Sequence, residues 1–220
     1  MKTLIKIMFV LGFVFVSTFF IFRYSGLITL EKIEEWLILA QLISPYYVIF
    51  IVIVLLCTDL FISIPTMVVM VSSGYFLGAT IGAFSSIVGL ILCGCIGYGL
   101  SFKYGSRLLR FFINDESKIV DAEEAFLKHG FVIILLSRAV PTLPEVAACM
   151  AGATNMPFLK FIGPWMLSII PSALIASYAG SISSPENLKP AIFAVLGLTG
   201  CLWFGWLICK KWYFNKELVS

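Results

Sequence analysis

Three ionisable residues stand in apolar surroundings: Asp59, Arg138 and Glu145. Arg138 lies in the string LLSRAVPTLPEVAACMAG, three residues before Pro141 and seven before Glu145. A fixed charge at membrane depth costs at least about 2.5–3.5 kcal/mol on insertion scales, so such a residue commonly marks a functional site. Arginine suits phosphate groups because its planar guanidinium donates two parallel hydrogen bonds, and a carboxyl group can exchange a proton. We therefore predict a substrate and proton pathway at these three residues.

Prolines and glycines near the charges predict interruptions of the helices. Proline lacks a backbone donor and blocks a continuous helix. Broken helices at membrane depth are tolerated only where they are buried in protein or line a watery cavity. We predict the breaks at Pro65, Gly74, Pro141, Pro144 and Gly152.

The composition indicates the fold class. The chain has 220 residues, of which 60% are apolar and 12% charged, and its mean hydropathy is +1.04. This profile is typical of an all-α polytopic membrane protein. Residues 60–102 carry no charge. As one helix they would be about 65 Å long, twice the ~30 Å hydrocarbon core, so they must hold two elements.

Residues 46–76 and 131–155 share a pattern in which a break separates two apolar runs. We interpret each as a re-entrant helical hairpin that precedes a membrane span, so that two opposed hairpins form an inverted repeat. The strings PTMVVMVSSGYFLG and PTLPEVAACMAGAT match weakly across the repeat. If the hairpins meet tip to tip, Asp59 and Arg138 face each other. About four transmembrane helices are predicted, at residues 5–22, 77–102, 158–180 and 190–209.

Basic residues predict the orientation. With these spans, eleven lysines and arginines fall on one side of the membrane and three on the other. The positive-inside rule then places both termini in the cytoplasm. The domain organisation follows: residues 1–45 form a first helix and an extracytoplasmic linker, residues 46–180 a core with a cytoplasmic amphipathic loop, and residues 181–220 a last helix with a basic tail.

The remaining reactive residue types predict no cofactor, no metal and no catalytic set. The six cysteines lie in apolar segments, where cysteine behaves as a small hydrophobe. His129 precedes Gly130 and is interpreted as the end of a helix rather than a proton carrier. Trp165 is assigned, with other aromatics, to belts at the membrane surface.

Four strings resemble the DedA/VTT-domain superfamily, also called SNARE-associated Golgi proteins, and most of all a bacterial branch related to a yeast Golgi membrane protein. They are IPTMVVMVSSGYFLGATIGAF, GYGLSFKYGSRLL, SRAVPTLPEVAACMAG and FIGPWMLSIIPSALIASYAG. The resemblance implies opposed re-entrant hairpins, a bacterial inner membrane location, and movement of anionic lipids between leaflets with proton coupling. Arg138 matches the family arginine and Asp59 an acidic residue before the first proline. The chain carries Glu145 where relatives carry a second arginine.

Alternative functions remain open at this point. The chain is predicted to be a lipid transporter or scramblase and not an enzyme, with membrane lipids and protons as partners and no nucleic acid. A scaffold for other membrane proteins would need no polar site, and an intramembrane enzyme acting on lipid phosphates would need a nucleophile or a metal. An ion pair that only locks the two hairpins together is the structural alternative for the charges, and homo-oligomers are left open.

Overall fold

The computed structural model describes most of the chain beyond position 44. The described residues are 44–62, 64–112, 116–139, 143–184, 187 and 189–214, with 12–13, 17, 35 and 37–39 before them. Within them the chain is helical, with one isolated bridge between Ser184 and Asn187 and no β-strand. The predicted all-α class is confirmed. Pro141 and most of the predicted span 5–22 lie outside the described residues.

The helices with described bounds follow one another closely. They are α1 (Pro45–Ile62), α2 (Thr66–Phe112), α3 (Glu116–Leu136), α4 (Leu143–Ala153), α5 (Phe158–Ser181) and α6 (Lys189–Phe214). A short 3₁₀ turn, Ser137–Ala139, follows α3 and precedes α4. By length and composition, three helical stretches of the described chain can cross a membrane: α1, Thr66–Gly105 of α2, and α5. The helix α6 overlaps the span predicted at residues 190–209.

Gly78 divides α2 into two arms, residues 66–77 and residues 79–112. Its φ of 79° and ψ of 168° are not helical. Glycine adopts this backbone without steric cost, because it has no Cβ. The arms fold sharply against each other, since the Ser73 hydroxyl donates to the carbonyl of Gly82 at 3.1 Å. The uncharged stretch 60–102 thus holds two elements, as its length predicts.

Two of the predicted breaks are misplaced. Gly74 is helical, and its small size serves close packing: a Cβ there would overlap the Ser177 carbonyl of α5. Gly152 lies in the last turn of α4, and a Cβ there would overlap the carbonyl of Tyr98 in α2. The prediction failed because a glycine inside an apolar run looks the same in sequence whether it breaks a helix or allows close contact.

A proline lies at the start of each short helix. Pro65 lies between the end of α1 and the start of α2, and Pro144 is the second residue of α4. Proline is accepted in a first helical turn because the donor it lacks has no intrahelical partner there. Both short helices therefore begin beside a proline.

The two halves of the chain share one order of elements. In each, a long helix is followed by a break, a short helix, a residue with positive φ, and a second long helix. The short helices are residues 66–77 and α4, and the positive-φ residues are Gly78 and Asn155, with φ of 79° and 51°. Asparagine is among the few residues other than glycine that tolerate this region.

Each short helix packs against the long helix of the other half. Gly180 of α5 leaves room for the Val71 carbonyl, as Gly74 does for Ser177. Gly105 of α2 lies against Ala153 of α4, so that the second short helix packs on the first half. Small residues allow such close backbone approach between membrane helices. The fold is therefore held together across the two halves.

Gly78→Ala should destabilise the protein by about 1 kcal/mol or more, because alanine is strained at positive φ. No atom lies within 4 Å of the position of its Cβ, so the cost arises from the backbone and not from a clash. Gly99→Ala is the matched control, since Gly99 lies in the same helix with open space and no positive φ. Thermal unfolding in detergent measures both variants, and equal midpoints for the two would contradict this account.

Candidate functional site

The three predicted charged residues lie at the end of one helix, in a 3₁₀ turn and at the start of another helix, and these positions are close together. Asp59 lies in the last turn of α1, Glu145 in the first turn of α4, and Arg138 in the 3₁₀ turn between α3 and α4. All three interact electrostatically. The packing beneath them is close, because Gly97 of α2 lies against Leu60 of α1 and Ala148 of α4. The site is thus built from both halves of the chain.

The Asp59 carboxyl group has two neighbours that fix it. One oxygen accepts a hydrogen bond from the backbone N–H of Ile64 at 2.6 Å, which secures the chain just beyond α1. The carboxyl group also lies near that of Glu145 and interacts with it electrostatically. Two neighbouring carboxylates repel each other when both are ionised, and one proton held between them removes that repulsion. The pair is therefore suited to holding a shared proton.

Glu145 has an oxygen without a protein partner. The residue is only 7% exposed, and its Oε2 is the one buried side-chain nitrogen or oxygen, among the described residues, that lacks a hydrogen bond. An unsatisfied buried acceptor costs about 1–3 kcal/mol, and such groups in folded proteins are commonly functional or bind an ion, a proton or a water.

Arg138 is held by neutral groups of α5 and not by a direct ion pair. Its Nε donates a hydrogen bond to the Ser168 hydroxyl at 3.3 Å, and its Cζ lies 5.8 Å from the centre of the Trp165 ring. Among the described residues, neither carboxyl group approaches the guanidinium within the 4.0 Å of a direct ion pair. The predicted juxtaposition with Asp59 is thus a longer-range interaction, and the two terminal nitrogens make no hydrogen bond to the described part of the chain.

Trp165, Ser168 and Cys93 belong to the site but were not predicted. Trp165 is 2% exposed, so its assignment to a surface belt is wrong. The signal was its spacing, because Trp165 and Ser168 are one turn apart between Pro164 and Pro171 and share a face of α5. Cys93 of α2 is buried near Asp59, Glu145 and Arg138. Nothing in the sequence separates it from the other apolar cysteines.

The arrangement combines one guanidinium with two carboxyl groups inside apolar helices. Within the described chain, no group of three or more His, Cys, Asp or Glu side chains is placed to hold a metal ion. The open terminal nitrogens of Arg138 suit an anion with oxygen atoms, and the carboxyl pair suits proton exchange. The fold and the site define an integral membrane protein with a polar site buried between its two halves.

The family is established by comparison. The model of the VTT domain matches residues 64–182, which include both short helices, Arg138 and Glu145. The chain therefore belongs to the VTT-domain family, and its resemblance to the DedA/VTT superfamily is confirmed. Asp59 lies just before the matched region.

Two curated proteins are similar to the chain. Undecaprenyl phosphate transporter A of Bacillus subtilis (strain 168) is 28% identical over 126 residues, which cover 53% of this chain and 64% of that protein. An alkaline phosphatase-like protein of Lactococcus lactis subsp. cremoris (strain MG1363) is 27% identical over 161 residues, covering 66% and 72% respectively. The chain thus spans less than two thirds of the length of the first relative. No solved structure matches it significantly.

Proposed function

We propose that the protein moves an anionic lipid, a phospholipid or a polyprenyl phosphate, between the leaflets of a membrane. The observation that carries the proposal is Arg138, a guanidinium among apolar helices whose terminal nitrogens have no protein partner in the described chain. A phosphate headgroup would accept two parallel hydrogen bonds from these nitrogens. The relative from Bacillus subtilis, whose name is that of an undecaprenyl phosphate transporter, supports this class of substrate.

The carboxyl pair supports coupling to protons. When Asp59 and Glu145 share one proton, their single negative charge balances Arg138 and the site is neutral. An anionic headgroup on Arg138 makes the site negative, which favours uptake of a second proton. By reciprocity, protonation then favours binding of the anion. Lipid and proton would in this way occupy the site together.

The shared order of elements supports an inverted repeat of two opposed re-entrant hairpins. Each short helix lies between a break and a positive-φ residue, at Gly78 and Asn155. Transporters built from such repeats commonly bind their substrate where the interrupted helices meet. In this protein the two interruptions bring Asp59 and Arg138 to one site.

We propose a bacterial inner membrane location with both termini in the cytoplasm, on the basis of the eleven-to-three distribution of basic residues. Cysteine labelling from outside the cell, in a background without native cysteines, tests the orientation. A cysteine at Ser183 should react, and cysteines at Ser117 and Asn215 should not. Reaction at Ser117 would reverse the topology.

An enzyme acting on lipid phosphates is the second candidate, and the alkaline phosphatase-like relative is the observation that favours it. A scaffold without transport is the third. The three functions give different results in one preparation of liposomes. Transport moves a labelled lipid without releasing phosphate, an enzyme releases inorganic phosphate, and a scaffold does neither.

Arg138→Lys should slow transport at least about tenfold, which corresponds to about 1.4 kcal/mol, because lysine keeps the charge but cannot donate two parallel hydrogen bonds from a planar group. The measurement is the transfer of fluorescent phosphatidylglycerol and of a polyprenyl phosphate across liposomes, with and without a pH gradient. The gradient should change the rate in the wild-type protein if protons are coupled.

Lys160→Arg is the control, since Lys160 is an exposed cation in the first turn of α5 and the swap keeps its charge. It should transport at the wild-type rate. Full activity in both Arg138→Ala and Asp59→Asn would mean that the two charges only hold the hairpins together and take no part in transport. Wild-type liposomes that move neither lipid would refute the proposed function.

A further inference from the structure

The face of α5 towards Arg138 carries two side chains that contact its guanidinium. Trp165 and Ser168 are one helical turn apart and are 2% and 7% exposed. Ser168 accepts from the Nε of Arg138 at 3.3 Å, and the Trp165 ring lies 5.8 Å from the Cζ. A cation above an indole face is attracted by the negative face of the ring.

Contacts with α2 fix the Trp165 ring. Its Nε1 donates a hydrogen bond to the carbonyl of Leu90 in α2 at 3.2 Å. Gly94 lies directly against the ring, where a Cβ would overlap its atoms. Phe161 packs beside it with ring centres 5.4 Å apart. The indole therefore has one orientation, set jointly by α2 and α5.

We propose that Trp165 and Ser168 are positioning residues that keep the terminal nitrogens of Arg138 turned towards a phosphate-type anion. Without them, the guanidinium is free to turn towards Glu145 and Asp59, with which it interacts electrostatically. A direct ion pair with these carboxyl groups would occupy the nitrogens that the anion needs. The inference rests on the proposed function and assigns to α5 the orientation of its binding group.

Transport kinetics separate the roles of the two residues. Trp165→Leu removes the indole face and should raise the half-saturating lipid fraction roughly tenfold, with a smaller effect on the maximal rate. Trp165→Phe keeps a ring face and should restore most of the affinity. Ser168→Ala should raise the half-saturating fraction about fivefold. Ser172→Ala is the matched control, because within the described chain the Ser172 hydroxyl bonds only to the Ser168 carbonyl of its own helix.

Tryptophan fluorescence detects binding of an anion near Trp165 directly, without a transport assay. The chain has five tryptophans, and replacing Trp36, Trp203, Trp206 and Trp212 by Phe leaves Trp165 as the only one. The probes are dihexanoyl phosphatidic acid and inorganic phosphate, with dihexanoyl phosphatidylcholine as the neutral comparison. A saturable change in Trp165 emission with a phosphate probe, absent in the same protein with Arg138→Gln, supports the inference. The probe that acts at the lower concentration identifies the ligand as lipid or free phosphate.

These experiments distinguish a failure of the positioning role from a failure of the proposed function. If liposomes transport anionic lipid but Trp165→Leu leaves the half-saturating fraction unchanged, the positioning role is wrong and the proposed function stands. An emission change of equal size in the Arg138→Gln protein would overturn the positioning role as well. If wild-type liposomes move no anionic lipid, the proposed function itself fails.

Discussion

The half-buried Arg138 guanidinium lies among apolar helices, and this is the constraint on which the arrangement of this protein depends. A charged side chain in such a medium is stable only with compensating polar groups. The fold supplies them without a direct ion pair in the described chain: an indole face and a hydroxyl from α5, and two carboxyl groups at longer range. Replacing these neutral contacts by a close ion pair would satisfy the charge but occupy the terminal nitrogens, which make no hydrogen bond to the described part of the chain.

That cluster forms where α1 ends, where the 3₁₀ turn follows α3 and where α4 begins. Breaks on either side of residues 66–77 and α4 free the chain to turn inside the protein, and glycines let each short helix lie against the long helix of the other half. The carboxyl groups of Asp59 and Glu145 are thus contributed by different halves of the chain. A change in the packing of α4 would move the Glu145 carboxyl group relative to Asp59 and to the guanidinium.

The sequence predicts the part of this design that depends on residue type. Charged residues within apolar runs predicted a site at Asp59, Arg138 and Glu145. The length of the uncharged stretch 60–102 predicted an interruption of the helix there. It did not predict where the interruption falls, because Gly74 and Gly78 look alike until one is known to pack against Ser177 and the other to adopt a positive φ. It also did not predict that Trp165 is buried beside Arg138, since a tryptophan in a membrane helix suits a surface belt and a buried site equally well. The depth of the hairpins in the membrane stays a prediction.

We propose that Asp59 and Glu145 together hold the proton that accompanies the lipid on Arg138, and the pH dependence of transport by Glu145→Gln tests this most directly. The amide keeps the size of the side chain and one acceptor but cannot release a proton. Transport would be compared with the wild-type protein across pH 5.5–8.5, roughly the range in which a carrier working near physiological pH must titrate. We expect that the wild-type rate depends on pH and that the variant retains downhill transport with a flat profile. An unchanged profile in the variant would show that Glu145 does not hold the proton, and would contradict the claim.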